Sequence, residues 1–459
     1  MKQTVLVIEV VAATPHTETS IELAILESLS GSLVYYLPSY LYLVDPIWRS
    51  PVNGELTNSS TNESWLRYTA ALLGNLARIV LADSTLPMEE ILDQTNEQNY
   101  TSLQLDESVE KWALPDHFQQ QSDELSSIDP YYSRIKISAL TSLYLASRFI
   151  KQLNPDLIYC CNGRLPTAWP LYKLAQNLGI PMIFHERGSS ENKYITLSHP
   201  PVVLAGWQNI IHSYSLRNEL SARLGSTAFY KRKSAGISNN FGEYAIGTQD
   251  PSDLSLIGIQ PTFAIFYTTS NHELMQTAHS DYWFNLGSSQ QDVIASLVSA
   301  CRRKGIQLVI RVHPGTHTYK SLFSIRGKHV VGPEEFNQFH DGTSCIVIPA
   351  ESRVCSYQLG ASAQFRFTIG STIGWELTHQ GLAVGILGKS LGTGFKGVFD
   401  IKTQIELDNF LSNPPNSVDK SFSTLIGDFQ NSFGEEYRFF EVLGTHRMRD
   451  KLPLYLKNR

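Results

Sequence analysis

Two separate stretches of the sequence combine residues that could bind a phosphate group. The first is Gly370-Ser371-Thr372, where an apolar strand gives way to a helix. The unpaired N–H groups of a helix start, a glycine that lets the backbone approach, and two hydroxyl donors together form an anion cradle. Glu376, one turn later, could accept hydrogen bonds from ribose hydroxyls. The alternatives are an ordinary Ser or Thr N-cap and a solvated helix carboxylate.

The second stretch is His313-Pro314, at the end of the apolar segment "IQLVIRVHP". Proline stops a strand because it cannot donate to the ladder, so His313 is held at the carboxyl end of that strand. A histidine there could bind a phosphate or protonate a leaving oxygen. Arg311 lies two residues earlier on the same side of the strand. A structural histidine with no ligand is the alternative.

Other strand ends of the same region carry hydroxyl groups. Ser270 follows Thr268 and Thr269 in "FAIFYTTS", and Ser352 follows Glu351 in "IVIPAES". In a parallel sheet these positions share one edge with His313 and Ser371. Ser270 and Ser352 are therefore further candidates for binding a phosphate-containing ligand.

A third cluster lies in the first half of the chain, at the ends of two neighbouring strands. Asn162 and Arg164 end "DLIYCCNGR", while His185, Glu186 and Arg187 end "IPMIFHERG". Charged groups packed this densely after buried strands are costly unless they serve a ligand or one another. Glu186, between cationic side chains, is a general-base candidate. The alternative is an internal Arg–Glu salt bridge that holds the two loops.

Alternating strands and helices must position these residues. Apolar runs predict buried strands at 4–11 and in the segments quoted above, and periodic segments predict helices at 18–29, 65–80 and 133–153. Repeated β-α units occur in both halves, which is typical of doubly wound parallel sheets. We therefore predict an α/β protein of two Rossmann-like domains, 1–240 and 241–459, facing across a cleft. Ligands bind such sheets at the carboxyl ends of the strands.

Composition excludes several other classes. The 459 residues suffice for two or three domains, and 42% of them are hydrophobic. The net charge of -6 argues against a general nucleic-acid binder. The five cysteines show no zinc spacing and are expected to be buried thiols. No G-x-G-x-x-G or P-loop motif is present, so dinucleotide binding and P-loop NTPase activity are disfavoured.

The motifs taken together resemble a known group. In chain order they are "DLIYCCNGRLP", "IFHERG", "FYTTSNHE", "RVHP", "IPAESRVCSYQL" and "IGSTIGWE". The combination resembles bacterial capsule and surface-polysaccharide glycosyltransferases of GT-B fold, of the Kps type and the related Kdo (3-deoxy-manno-octulosonic acid) transferases. The resemblance covers roughly residues 150–390.

The resemblance implies an enzyme that moves a sugar from a nucleotide donor, CMP-Kdo or another CMP- or UDP-sugar, to a glycan or glycolipid acceptor. The donor would lie on the second domain, and the acceptor on the first, near Asn162, Arg164, His185 and Arg187. Glu186 would deprotonate the acceptor, and His313 with the 371–372 helix start would stabilise the departing phosphate. No Asp-x-Asp motif is present, so no metal or other cofactor is expected.

Two other functions remain open at this point. A sugar-nucleotide 2-epimerase uses the same two-domain fold, and a non-catalytic polysaccharide-assembly protein could retain the nucleotide site alone. No signal peptide and no run of apolar residues long enough to span a membrane are evident. A cytoplasmic location is expected, with peripheral association at the inner face of the membrane as a further alternative.

Overall fold

The protein divides into two compact units, seen in a computed structural model. Unit one comprises Met1–Val203 and Phe433–Arg459, and unit two comprises Leu204–Ser432. The residues that the structure describes are 2–11, 15–43, 59–81, 130–190, 192–201, 204–215, 219–234, 258–269, 284–313, 333–415, 417–443 and 447–450.

Unit one is built on a mostly parallel sheet, which has seven strands among the described residues. Its order is β13-β6-β5-β4-β1-β2-β3, in which β6 and β13 run antiparallel to their neighbours. The five parallel strands have the 3-2-1-4-5 order of a Rossmann-like sheet. The strands are β1 Thr4–Ile8, β2 Leu33–Leu37, β3 Arg78–Ile79, β4 Leu157–Cys161, β5 Met182–Arg187, β6 Lys193–Leu197 and β13 Glu435–Glu436.

Unit two contains a second sheet, and all six of its described strands are parallel. Its order is β12-β11-β10-β7-β8-β9. Read from β9 and renumbered so that β7 is strand 1, this is 3-2-1-4-5-6, which extends the order of unit one by one strand. Two Rossmann-like units therefore confirm the predicted fold class. The strands are β7 Phe263–Tyr267, β8 Gln307–Arg311, β9 Cys345–Ile348, β10 Phe365–Thr368, β11 Gly385–Ile386 and β12 Phe399–Asp400.

Helices connect the strands of both units. The helix predicted at 133–153 is confirmed, whereas the one predicted at 65–80 ends at Leu73, because Gly74 adopts a left-handed conformation that terminates it. The described α-helices are α1 His16–Leu29, α2 Ser59–Leu73, α3 Pro130–Leu153, α4 Trp169–Leu178, α5 Leu204–Ser215, α6 Glu219–Ser234, α7 Gln290–Arg303, α8 Ser356–Ser362, α9 Ile373–His379, α10 Gln404–Ser412 and α11 Ser421–Ser432. Short 3-10 helices span Ser39–Tyr42 and Pro333–Phe339.

Both faces of the unit-one sheet are covered, which explains why its central strands read as continuous apolar runs. Leu6 and Ile8 of β1 face a core shared with α3 and α4, and Val5 and Val7 face the opposite core with α1. Successive side chains of a strand point to opposite faces, so a strand buried on both sides has no polar alternation.

The helices α5 and α6 belong to unit two, although the expected boundary at residue 240 places them in the first domain. They pack on α11, where the Tyr230 hydroxyl donates to the carbonyl of Ser423 over 2.6 Å. Gly427 makes this close approach feasible, because a Cβ there would lie 2.5 Å from the Tyr230 ring. Their sequence shows helical periodicity but does not show which sheet they cover.

The segment after α11 returns to unit one and closes around α1. The Glu22 carboxylate of α1 accepts the backbone N–H groups of Arg438 and Phe439, at 2.7 and 3.1 Å. The Tyr437 hydroxyl shares a 2.6 Å hydrogen bond with Thr19. Beyond it, β14 Phe440–Leu443 and β15 Arg447–Asp450 form an antiparallel hairpin. The polar first half of α1 is therefore buried with partners from the far end of the sequence.

Candidate functional site

The strand ends of unit one carry an unusual backbone turn. Asn162 and Gly163, directly after β4, both have positive φ, at 59° and 61°. Gly163 cannot be replaced easily, because a Cβ at that position would lie 2.6 Å from the ring of Phe184. Asparagine tolerates the left-handed region better than most residues, so the "CNGR" sequence fits this turn. The turn brings the Asn162 side chain toward the end of β5.

Glu186 is the centre of the unit-one cluster. Its carboxylate accepts hydrogen bonds from the Asn162 side-chain amide and, at 2.9 Å, from the backbone N–H of Arg187. The Nε2 of His16 lies 3.9 Å from Oε1 of Glu186, and the Glu186 side chain remains 22% exposed. Burial alone would raise its pKa, but the charges of Arg164 and Arg187 and the hydrogen bond from the Arg187 N–H lower the pKa below its ordinary value. The group is therefore a charged carboxylate that a ligand can still reach.

His185 and His16 lie behind Glu186 and are neutral. Burial lowers the pKa of His185 to about 3 and that of His16 to about 4. His185 Nε2 shares a 2.9 Å hydrogen bond with the Ser20 hydroxyl of α1. His185 thus faces the protein interior, where it supports the first turns of α1 rather than an exposed acceptor surface.

His16 was missed by the sequence analysis, which placed the start of the first helix at residue 18. The available signal was "PHTETS", a polar run immediately after the first strand of a Rossmann-like unit. The first βα connection of such a fold is a common ligand position. In the structure His16 begins α1, and ten consecutive residues from His16 to Ile25 are buried.

Arg164 and Arg187 act on Glu186 through their charges. Both lower the pKa of the Glu186 carboxyl, and the Arg164 backbone N–H donates to Asn162 Oδ1 over 3.3 Å. The structure therefore brings together the four predicted residues Asn162, Arg164, Glu186 and Arg187, with His185 behind them. A network of internal contacts and a ligand site are compatible here, because the Glu186 side chain is only partly covered.

Glu9 is a second carboxyl that sequence reasoning did not identify. It follows β1 directly, is fully buried, and accepts a hydrogen bond from the Tyr36 hydroxyl. Burial raises its pKa to about 8, although hydrogen bonds from Thr17 and Tyr36 act in the opposite direction. At neutral pH this carboxyl is mostly protonated, in contrast to Glu186.

In unit two, the carboxyl ends of β7, β8 and β10 form one edge. Thr368, Tyr267 and Arg311 pair in register across these three strands. The backbone N–H of His313 donates to the Thr268 hydroxyl over 2.9 Å. His313 and the segment after β10 are thus separated by a single strand, about 10 Å between strand axes. The topological switch point lies between β7 and β10, where a ligand is expected.

The segment after β10 differs in detail from the prediction. Thr372 occupies the N-cap position of α9, but its side chain makes no capping hydrogen bond, and it is exposed. The backbone N–H of Ser371 donates to the Thr368 hydroxyl over 3.2 Å. The simple N-cap alternative therefore does not account for the Thr372 hydroxyl. Since α9 has only seven residues, its dipole is a weak contributor, and the hydroxyls and Gly370 carry the candidate site.

Glu376 occupies a different environment from either expectation. It is only 6% exposed and accepts a hydrogen bond from the Tyr357 hydroxyl of α8. The interpretation of Glu376 as a solvated helix carboxylate is therefore wrong, because its side chain is buried inside the unit. Its contact with Tyr357 makes it a support for α8, and a ribose hydroxyl would have to share the carboxylate.

Arg311 is a structural brace for the loop after β9. It is 1% exposed, and its guanidinium donates to the carbonyls of Pro349 and Ser352 and to the Ser356 hydroxyl. Burial lowers its pKa to about 10, so it stays charged. Arg311 therefore positions the Ser352 loop, because its three nitrogens are directed at the protein itself. The Ser352 hydroxyl accepts the backbone N–H of Val354 over 3.3 Å.

Two predicted donor-binding residues, Ser270 and Pro314, lie outside the described residues. Thr269, immediately before Ser270, is described, and its backbone forms two hydrogen bonds with the Gln290 side chain, at 2.8 and 3.1 Å. Gln290 begins α7, so these bonds join the start of that helix to the residues directly after β7. Sequence reasoning did not identify Gln290, because a glutamine at a helix start is not a distinctive signal.

One further cluster unites ligand types that the sequence separates widely. One donor atom from each of His16, Cys161 and His185 lies within 4.8 Å of the other two, and all three residues are buried. Cys161 is one of five free cysteines. Burial raises the pKa of its thiol well above the ordinary value. The cysteines were expected to be inert buried thiols, and spacing along the chain gave no reason to connect Cys161 with two histidines.

No helix in the described part of the chain has both the length and the hydropathy to cross a membrane. This finding agrees with the absence of a long apolar run in the sequence.

Comparisons with known proteins give matches in structure but not in sequence. No protein-family model matches the chain, and no curated protein matches it. The capsule-protein resemblance therefore remains a prediction.

Three of the matching solved structures illustrate the structural result. The UDP-GlcNAc 2-epimerase of Methanocaldococcus jannaschii in complex with UDP-GlcNAc and UDP is 9% identical, with 93% of this chain and 98% of that chain covered and a TM-score of 0.26. The UDP-GlcNAc 2-epimerase of Neisseria meningitidis is 10% identical, with 93% of this chain and 97% of that chain covered and a TM-score of 0.27. The calicheamicin glycosyltransferase CalG4 is 10% identical, with 94% of each chain covered and a TM-score of 0.28. At these scores the likeness carries no argument about activity, and the assignment of two Rossmann-like units rests on the strand orders given above.

Proposed function

We propose that the protein is a glycosyltransferase of the two-Rossmann-domain class, which moves a sugar from a nucleotide donor to a glycan or glycolipid acceptor. The observation that carries the proposal is that the chain has two different strand-end clusters, one in each of two sheets whose parallel strands have the same order. One cluster is rich in hydroxyl groups beside a histidine, and the other contains a charged carboxylate among cations.

We assign the nucleotide donor to unit two. Its candidate contacts lie around the switch point between β7 and β10, and they are His313, the Ser371 and Thr372 hydroxyls, and the Thr268–Thr269 connection. The hydroxyls and the His313 imidazole are the proposed phosphate donors, because the backbone N–H groups of Thr269, His313 and Ser371 donate within the unit. Arg311, Ser352 and Glu376 act behind this edge, since their side chains are engaged with the protein.

We assign the acceptor to unit one, with Glu186 as the general base. The Glu186 carboxylate takes the proton of the acceptor hydroxyl as the acceptor oxygen forms its bond to the anomeric carbon of the sugar. The bond between that carbon and the donor phosphate breaks, and the phosphate keeps the electron pair. Asn162 and the charges of Arg164 and Arg187 hold Glu186 in its ionised form before the proton is taken.

The departing phosphate would be stabilised by His313 and by the donors of the 370–372 segment. We propose that no divalent cation is needed at this phosphate, because these groups would supply the stabilisation themselves. Transfer would then proceed without added Mg²⁺ or Mn²⁺, and a strict requirement for an added divalent cation would contradict this part of the proposal.

The first experiment tests nucleotide binding by the full chain. CMP, UDP and their sugar conjugates are titrated by calorimetry into the wild-type protein and into Ser371→Ala. Ser362→Ala, at an exposed serine of the same unit, is the matched control. We expect one nucleotide class to bind, with weaker binding only in Ser371→Ala. No binding of any nucleotide would contradict the proposal.

The second experiment separates transfer from other reactions of a sugar nucleotide. The donor that binds is incubated with and without surface-glycan acceptors, and free nucleotide and sugar configuration are followed by NMR. A CMP-Kdo or other CMP- or UDP-sugar donor that releases nucleotide only with an acceptor supports transfer. Proton exchange and epimerisation without an acceptor would identify a 2-epimerase, and binding without turnover would identify an assembly protein.

A further inference from the structure

Three buried side chains of unit one converge from three different elements. His16 begins α1, Cys161 ends β4, and His185 lies in β5. Cys161 and His185 are paired neighbours in adjacent parallel strands. One donor atom from each residue lies within 4.8 Å of the others, so two imidazoles and one thiol share a single small volume.

Each of the two imidazoles has a polar neighbour at its Nε2 atom. His185 Nε2 shares a 2.9 Å hydrogen bond with the Ser20 hydroxyl, whereas His16 Nε2 lies 3.9 Å from Glu186 Oε1, which is beyond hydrogen-bond distance. The other nitrogen of each ring, Nδ1, is buried and has no hydrogen-bond partner within the described residues. A buried ring nitrogen without a partner is costly, which points to an additional ligand.

This pattern is the one that metal-binding histidines show. A ligating histidine coordinates with one nitrogen while the other is oriented by a carboxylate, hydroxyl or carbonyl group. Here Ser20 is the orienting group of His185, and Glu186 is the carboxylate beside Nε2 of His16, so the remaining nitrogens are the two Nδ1 atoms.

We propose that His16, Cys161 and His185 bind one transition-metal ion, with Zn²⁺ as the preferred species. Imidazole nitrogens and thiolates are the usual protein ligands of zinc, and a water or another oxygen would complete a four-coordinate site here. In a tetrahedral site, neighbouring donor atoms lie about 3.4–3.7 Å apart. The three donor atoms here lie within 4.8 Å of one another, so they must move closer by up to about 1 Å when the ion binds. The Cys161 thiol loses its proton to solvent as its sulfur binds the ion.

The ion would connect the start of α1 to the edge of the sheet beside Glu186. It would hold His16 in place, and through His16 it would orient the Glu186 carboxylate. This site is separate from the phosphate of the proposed donor, which unit two would bind, so the inference does not depend on the proposed transferase activity.

The test measures metal directly in the full chain, expressed without a polyhistidine tag and purified without chelators. We expect about one zinc ion per chain by elemental analysis. Cys161→Ser should lower the content about tenfold or more. Cys160→Ser is the matched control, because Cys160 directly precedes Cys161 in β4 and is also buried but is not part of the cluster.

His185→Gln separates a metal ligand from a structural histidine. A glutamine amide can occupy the position of Nε2 and keep the contact with Ser20, but it offers nothing at Nδ1. We expect this variant to lose the metal while circular dichroism shows an unchanged fold. Retention of a full metal content by a folded His185→Gln protein would overturn the proposal.

A spectroscopic measurement on the wild-type protein guards against variants that fail to fold. After exchange of the bound metal for Co²⁺, we expect a thiolate-to-cobalt charge-transfer band in the near ultraviolet, absent from Cys161→Ser and present in Cys160→Ser. Folded wild-type protein that contains no metal and shows no band with Co²⁺ would mean that the cluster binds only water. The failure of transferase assays would leave both measurements unaffected.

Discussion

At the carboxyl edge of the unit-one sheet, a charged Glu186 lies among cations with two neutral histidines behind it, and Glu9 is buried nearby in its protonated form. At the same edge of the unit-two sheet, the residues around the switch point are mainly hydroxyls and backbone N–H groups. The parallel strands of the two sheets share an order, and the unit-one edge places two carboxyls in environments that move their pKa values in opposite directions, up for Glu9 and down for Glu186. Such separation is typical of acid–base chemistry, whereas neutral donors suit the binding of an anion.

The largest expected effect is on turnover in unit one. Glu186→Gln keeps the size and one acceptor oxygen but removes the base, so we expect turnover to fall by about 10²–10⁴-fold with nucleotide affinity unchanged. Steady-state kinetics and calorimetry provide the two measurements. Glu436→Gln, an exposed carboxyl of the same unit, is the control. Unchanged turnover in Glu186→Gln would show that the charged edge is not the catalytic one.

A stability measurement tests the strained turn that shapes this edge. Gly163→Ala combines a positive φ with a clash against Phe184, so we expect it to lower the free energy of unfolding by about 2–4 kcal/mol. Gly179→Ala is the matched control, because its φ of 68° is similar but no atom lies within 4 Å of the added Cβ. Gly179→Ala should lower the free energy of unfolding by about 1–2 kcal/mol. Equal losses in urea unfolding would mean that the close approach to Phe184 is unimportant.

The pH dependence of stability tests the protonated state of Glu9. Its pKa is about 8 in the folded protein against 4.5 ordinarily, so between these values the folded state holds a proton that the unfolded chain has released. Stability therefore falls as pH rises through this window, by at most about 1.4 kcal/mol per pH unit. Glu9→Gln should lack this component. Parallel pH profiles of the two proteins in chemical denaturation would show that Glu9 is ionised in the fold.

The smallest effect is expected in unit two. Ser371→Ala removes one neutral hydrogen bond to the nucleotide, worth about 1 kcal/mol, so affinity should fall about fivefold with little change in the rate of the bound complex. His313→Ala should weaken binding more, by about tenfold or more, if the imidazole carries charge at the phosphate. If Ser371→Ala lost turnover at a saturating donor concentration, unit two would contribute to catalysis, and our assignment of the catalytic residue to unit one would be contradicted.

Much of the fold follows from sequence pattern, because apolar runs and helical periodicity are local. β1, β4, β5, β7 and β8 all lie where continuous apolar segments predict them. The antiparallel β6 and β13 and the position of α5 and α6 were not predicted, since they depend on pairings between distant parts of the chain. No local signal joins residues 193–197 to 435–436.

The candidate site was predictable where polar residues directly follow strands. Asn162 and Glu186 were found together for this reason, and the structure joins them by a hydrogen bond. His16 and Cys161 were missed as partners because they meet only in three dimensions. The environments of Arg311 and Glu376 could not be predicted from the sequence either, since the burial and direction of a side chain depend on the surrounding elements.

The return of residues 433–440 to α1 has a consequence for how the chain folds during synthesis. Unit two is one continuous stretch, whereas unit one needs both ends of the sequence before Glu22 and Thr19 receive their partners. A ribosome working from the first residue must therefore finish every strand of the second sheet before the first can be closed. Unit one therefore cannot be completed before unit two has been synthesised, although domains generally fold in the order in which they are made.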